Sequence, residues 1–262
     1  MNPSKQIAST NKDVLSGPIL HWKKQLATNT PILEIPADFP RNLNTSYSPD
    51  KVTFSISGSC LDALKELSRQ QETSIDAILL GAYNTLLFKY TKQESIVMGL
   101  PGIKNFFSKT EKLVYTLRYT KVFRTDLSAN PNFIELLRRV QTEVAAGDTE
   151  KEVTYEELLG RIKLVYGVSC TNLYNVIFSF RNDNVRDLDY RDRAQNADLQ
   201  NRPSDPVELA LDVEETVKGL NTTWTYNAAL FHATTIKRIA KHFEVLLERI
   251  VSNPRQAISQ LC

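Results

Sequence analysis

The sequence predicts a layered protein of the α/β or α+β class, because strand-like and helix-like segments intermingle along the whole chain. Three observations carry this. Val207, Leu209, Leu211 and Val213 alternate strictly with their neighbours. After a turn at Lys218-Gly219, Leu220, Thr222, Trp224 and Tyr226 return on one face, which is the pattern of a β-hairpin. Ile75, Ile78, Leu79, Ala82, Leu86 and Leu87 recur at helical spacing over a wide apolar arc, so this helix belongs at the centre of a core.

The remaining elements follow in order. The polar residues 1–17 read as a flexible tail. Pro18 to Leu26 reads as a short helix, and the closely spaced prolines of Pro31 to Arg41 as an extended strap along the surface. Val52 to Ile56 alternates like a strand, and Leu61, Leu64 and Leu67 follow at helical spacing. Thr73 with Asp76 resembles a capping box opening the helix that ends near Tyr90. Ser95 to Leu100 is a short apolar strand, which Pro101 and Gly102 are expected to break.

Thr116 to Arg124 is a further strand. Asn130-Pro131 has the residue types of a helix start, for a helix through Phe133, Leu136, Leu137, Val140 and Val144. Thr154 with Glu157 forms another capping box, and Leu173 to Phe180 a strand buried on both faces. Arg181 to Pro206 is a long, charged, exposed connection. Ile236, Ile239, Ala240, Phe243, Leu246, Leu247 and Ile250 mark the last helix.

Composition narrows the function. The formal net charge of the 262 residues is +2, and basic residues alternate with acidic ones, as in Lys65-Glu66 and Arg191-Asp192-Arg193. That argues against a nucleic-acid partner, which calls for cations concentrated on one face. No stretch has the length and apolarity of a membrane span or a signal peptide. Cys60, Cys170 and Cys262 lack metal-ligand spacing and fit inert thiols in a reduced, cytoplasmic protein.

The three histidines, His21, His232 and His242, have no partner at metal or catalytic spacing, and a packing or surface role is expected of each. No nucleophile elbow, phosphate loop or dinucleotide fingerprint is present. Glu214 and Glu215 are adjacent on a strand, so they point to opposite faces and form no carboxylate pair. From the residues alone, no catalytic or metal site and no bound cofactor are expected.

The order of segments carries a family resemblance. HWKKQLATNTPILEIPADFPR resembles the condensation-domain pattern YWKEQLAG…LELPTDRPR, and TSIDAILLGAYNTLLFKYTKQESIVMGLP resembles VTLFMTLLAAFQVLLHRYTGQEDIVVGTP. VFRTDLSANPNFIELLRRVQTEV resembles VLRTDLSGNPTFRELLRRVRET, and the final strands and helix also match in order, from about His21 to Leu261. The chain thus resembles the C-terminal half, or second lobe, of a condensation domain of nonribosomal peptide synthetases.

The resemblance implies a mixed sheet flanked by helices, one lobe of the chloramphenicol-acetyltransferase-like fold, over residues 18–262. In a complete domain, a tunnel between two lobes admits phosphopantetheine arms of carrier proteins, and the second His of HHxxxDG in the first lobe is the key catalytic group. This sequence contains no His-His pair. The family's G-F-F-V-N-T becomes Tyr115 to Thr120, with Tyr119 in place of Asn and Thr120 retained; H-Q-D-V-P-F-E becomes Glu150 to Glu156. Arg118, Tyr119, Thr120, Tyr155 and Glu156 are therefore the candidate binding residues at the family's tunnel and crossover positions.

The resemblance also implies a catalytically silent docking or structural module as one expectation. The other is the second lobe of a split or excised domain, made active by a separate first lobe. Expected partners are a carrier protein or another synthetase domain, a first lobe, or a second copy of the chain. Thr116–Arg124 and Arg181–Pro206 are the segments expected to be mobile or to engage partners.

Overall fold

A computed structural model describes residues 32–41, 47–107, 113–149, 174–182 and 207–261, with backbone alone described for 102–107, 113–120, 146–149 and 182. The elements are β1 (Pro49–Ser57), α1 (Gly58–Gln70), α2 (Ile75–Thr91), β2 (Ser95–Phe107), β3 (Leu113–Asp126), α3 (Phe133–Thr149), β4 (Val176–Asn182), β5 (Leu209–Thr216), β6 (Gly219–Asn227) and α4 (Ala233–Ser252). The strands form one six-stranded sheet in the order β1-β6-β5-β4-β2-β3. β4 runs parallel to β2 and β5, and the other neighbours are antiparallel. This is the mixed α/β sheet expected above.

One face of the sheet and the helices enclose the core. Leu209, Leu211 and Val213 of β5 join Val176 and Phe178 of β4 and Leu220, Trp224 and Tyr226 of β6 there. Helix α2 is buried at every position from Ala77 to Leu87, as its wide apolar arc demands. Tyr83 of α2 stacks on Phe178 at 5.9 Å and meets Trp224 edge-on at 6.1 Å, and Phe243 of α4 meets Trp224 edge-on at 5.7 Å. Such aromatic geometries add to the area buried.

The strap at 32–41 is more than a surface ribbon, because Leu33 and Ile35 are buried in the core. Asp38 fastens it to the start of α4: its carboxylate accepts from the His232 N–H at 2.8 Å and the Thr235 hydroxyl at 2.9 Å. These bonds, the His232 N–H first, hold the Asp38 carboxyl below the usual range. Arg41 closes the strap, donating from Nε and Nη2 to the two carboxylate oxygens of Glu208, each at 2.8 Å. Paired forks of this kind are among the stronger ion-pair geometries.

Among the boundaries that differ from the sequence expectation, three have a clear physical cause. β2 does not stop at Pro101-Gly102 but continues to Phe107, paired with β3 along its length. Its only bridge to β4 is Gly99 to Ile177. Pro101 thus lies past the point where β2 is flanked on both sides, and proline is tolerated in a strand that has become an edge. Thr73 does not cap α2. The cap position is Ser74, and Thr73 is tied instead to the end of α1, its N–H donating to the Ser68 carbonyl at 3.0 Å.

Helix α3 starts two residues after Asn130-Pro131. Asn132 and Glu135 form the reciprocal capping box, Glu135 N–H to Asn132 Oδ1 at 3.0 Å and Asn132 N–H to Glu135 Oε2 at 3.1 Å. Asn130, at a left-handed φ of 48°, accepts from the Ser259 N–H at 3.1 Å. Its side chain serves a tertiary contact and is not available as a cap.

Candidate functional site

The sheet face turned away from the helix-packed core carries a graded set of side chains. Strand alternation and register place them in rows across the sheet. The first row runs Lys51, Thr225, Ala210, Ile177, Gly99, Val122. Val97, Val122, Ile177 and Ala210 are buried here although they stand apart from the helix-side core. The next rows are polar: Thr53, Thr223, Asp212, Ser179, and then Ser55, Asn221, Glu214, Arg181.

Two polar contacts bind these rows. Ser179 Oγ donates to Asp212 Oδ1 across the parallel β4–β5 pair, and Ser55 Oγ donates to Asn221 Oδ1 at 3.0 Å. Burial pushes the Asp212 carboxyl above its ordinary range, against the opposing pull of the Ser179 bond and the Arg181 charge. Glu215 points the other way, into an ion pair with Lys65 of α1 at 2.6 Å, so Glu214 and Glu215 do face opposite sides. Asp212 escaped the sequence reading because a charged residue between apolar strand positions has the signature of a solvated one. Its neighbour Ser179 is identified only by the register of a strand more than thirty residues away in sequence.

Of the sequence-derived candidates, three lie on β3. By backbone register Thr120 faces Pro101, Tyr119 faces Gly102 and Arg118 faces Ile103, just beyond the Gly99–Ile177 bridge that begins the apolar row. Tyr155 and Glu156 lie outside the described residues, as do His21, Cys170 and the connection 183–206. Both described histidines sit on the helical side. His232 occupies the cap position of α4 with its ring edge-on to Phe39 at 4.5 Å, and His242 Nδ1 is 2.8 Å from the Tyr90 hydroxyl. Burial pushes the Cys60 thiol up to about 11, the mark of an inert thiol. Among the described residues no cluster of metal-ligating side chains occurs, and no helix is long and apolar enough to cross a membrane.

A family model described as Condensation domain matches residues 11–262. The chain belongs to the condensation-domain family. Among curated relatives of this condensation domain, a linear gramicidin synthase polypeptide of Brevibacillus parabrevis is 33% identical over 95% of the chain, which spans 5% of that protein. Surfactin synthase subunit 1 of Bacillus subtilis (strain 168) is 27% identical over 92% of the chain, which spans 7% of it.

Solved structures show the same fold. The X-domain from teicoplanin biosynthesis superposes with a TM-score of 0.77 at 20% identity, over 97% of this chain and 58% of that one. The four-domain nonribosomal peptide synthetase AB3403 gives 0.76 at 16% identity, over 92% of this chain and 20% of that one. The chain spans a little over half the length of the teicoplanin X-domain.

Proposed function

We propose that this condensation-domain lobe serves nonribosomal peptide biosynthesis as a docking or structural module and forms no peptide bond by itself. The observation that carries this reading is that none of the three histidines in the 262 residues adjoins another, so the family's HHxxxDG has no counterpart. The replacement of the family Asn by Tyr119 beside Thr120 and Arg118 supports it. So does Glu150-Lys151-Glu152 in place of the family's H-Q-D, with Tyr155 and Glu156 following at the positions of its F-E. A domain of the same fold, the teicoplanin X-domain, forms a complex with another protein, OxyB.

The partner is a carrier protein, whose phosphopantetheine arm is the ligand of the binding positions, and the compartment is the cytoplasm. A second reading is favoured by coverage. The chain spans only 58% and 52% of the condensation domains of a polyketide synthase and of the calcium-dependent antibiotic synthetase, which favours the second lobe of a split or excised domain whose active tunnel a first lobe completes.

Sedimentation velocity at micromolar concentration tests the docking reading. The 29.7 kDa chain is expected to shift to a heavier species when a holo carrier protein is added. A sharp monomer boundary that carrier protein leaves unmoved would remove its support.

A further inference from the structure

Two features lie side by side at one margin of the molecule. The first is β1, the edge of the sheet, with no strand paired to its outer side among the described residues. Its even-numbered residues turn toward β6. The Ser48 carbonyl, just before it, accepts from the Ala228 N–H at 2.7 Å, and the Phe54 carbonyl accepts from the Thr222 hydroxyl at 2.9 Å. Lys51, Thr53 and Ser55 therefore turn their backbone groups outward, where the Lys51 N–H donates to the Asp50 carboxylate at 2.8 Å. An edge of nine residues in unbroken register, with its one proline at the first position, is a template for a further strand.

The second feature is a stripe on α4, where Lys237, Lys241, Glu244 and Glu248 follow one another at helical spacing. Lys241 lies 5.9 Å from the centroid of the Phe54 ring. Burial, then the charges of Glu248 and Glu244, push up the Cys60 thiol at the start of α1. The stripe thus flanks β1 and α1, whereas His242, on the opposite flank, reaches Tyr90 of α2. Within one chain the pattern is unfavourable. Lys237 and Lys241 are like charges one turn apart, and so are Glu244 and Glu248, with the Lys241–Glu244 pair linking the two halves.

We propose that two copies of the chain associate about a two-fold axis at this margin, β1 beside β1 and α4 antiparallel to α4, independently of the docking reading above. An antiparallel copy centred between His242 and Phe243 sets Lys237 against Glu248 and Lys241 against Glu244, and the reverse, so each like-charged pair meets its opposite. A parallel copy in register sets like against like. The sheet geometry agrees, because α4 packs on both β1 and β6. Joining the edges at a strand spacing of ~4.8 Å brings the two α4 axes to about two such spacings, the distance of packed helices. The half-buried Val52 and Phe54 gain cover at the same seam. The outward groups of Lys51, Thr53 and Ser55 make the strand hydrogen bonds, and the charges fix the orientation.

Sedimentation equilibrium of the full chain alone, from low to high micromolar concentration, tests this. The expected species has twice the 29.7 kDa of the chain. Lys237→Glu with Lys241→Glu, and separately Glu244→Lys with Glu248→Lys, are each expected to weaken self-association by at least ~10-fold. Their equimolar mixture is expected to recover the dimer, because an all-acidic stripe then faces an all-basic one, and recovery also shows that both variants are folded. Thr53→Pro removes an outward N–H and is expected to abolish the dimer with little change in melting temperature. Lys92→Glu, exposed elsewhere, is expected to change the dissociation constant less than ~2-fold. A monomer of the unaltered chain across the range overturns the proposal and leaves the docking reading standing. A dimer that survives Thr53→Pro and both charge reversals belongs to another surface and overturns it equally. Folded charge variants that stay monomeric when mixed overturn the antiparallel α4 pairing.

Discussion

Gly219→Ala is expected to cost about 4 kcal/mol or more, enough to lower the melting temperature of a chain this size by roughly 10 °C. Gly219 opens β6 at a φ of 141°, a backbone conformation L residues rarely adopt. A Cβ there would stand 2.1 Å from the Ile56 carbonyl oxygen and 2.9 Å from the Ser57 carbonyl carbon, both backbone atoms. Neither yields easily. Ser57 is the cap of α1, with its Oγ accepting from the Cys60 N–H at 3.4 Å, and its strand register faces Gly219. The chain turns from β1 into α1 directly against the β5–β6 hairpin, and Gly219 provides the clearance. Lys218→Ala, one residue away and exposed, is expected to be nearly neutral. A thermal melt of the two variants side by side checks this, and equal melting temperatures would show that the hairpin relaxes.

Trp224→Ala is expected to cost about 3–5 kcal/mol, the range for deleting a large buried aromatic. Trp224 is fully buried between Tyr83 of α2 and Phe243 of α4, so it joins the sheet to both central helices. Its removal leaves a cavity lined by two rings and deprives Thr222 Oγ1 of the indole N–H that donates to it at 3.2 Å. Trp224→Phe keeps the ring contacts and is expected to recover more than half of the loss. Urea unfolding of the three proteins measures the differences. A Trp224→Ala midpoint within error of the unaltered chain would mean the core does not hinge on this contact.

These two positions also mark how far the sequence could be read. The alternation of Leu209 to Val213 and the return of Leu220 to Tyr226 made the hairpin legible, because a strand with one packed face writes its period into the sequence. Helix α2 was legible for the same reason. The extension of β2 through Pro101 was not, since whether proline is tolerated depends on the neighbouring strand, and β4 pairs with β2 only at Gly99. The start of α3 was displaced because Asn130 and Asn132 are both cap-forming residues, and only the contact of Asn130 with Ser259 decides between them.

The candidate site was legible to a smaller degree. Arg118, Tyr119 and Thr120 came from resemblance, and the register sets their backbone beside the strand positions leading to the apolar row. The Ser179–Asp212 contact had no sequence signal, because it depends on two strands meeting in parallel across a long connection.

Whether the lobe is catalytically silent is decided by a condensation assay. The chain is incubated with one carrier protein bearing a donor aminoacyl thioester and another bearing an acceptor, and the carrier-bound dipeptide is quantified by mass spectrometry. The expected result is no dipeptide above the uncatalysed background, because the chain has no adjacent histidine pair to serve the attacking amine. Dipeptide formed well above background by the purified chain alone, and abolished by heat denaturation, would show that the lobe carries catalytic machinery of its own and would overturn the silent-module reading.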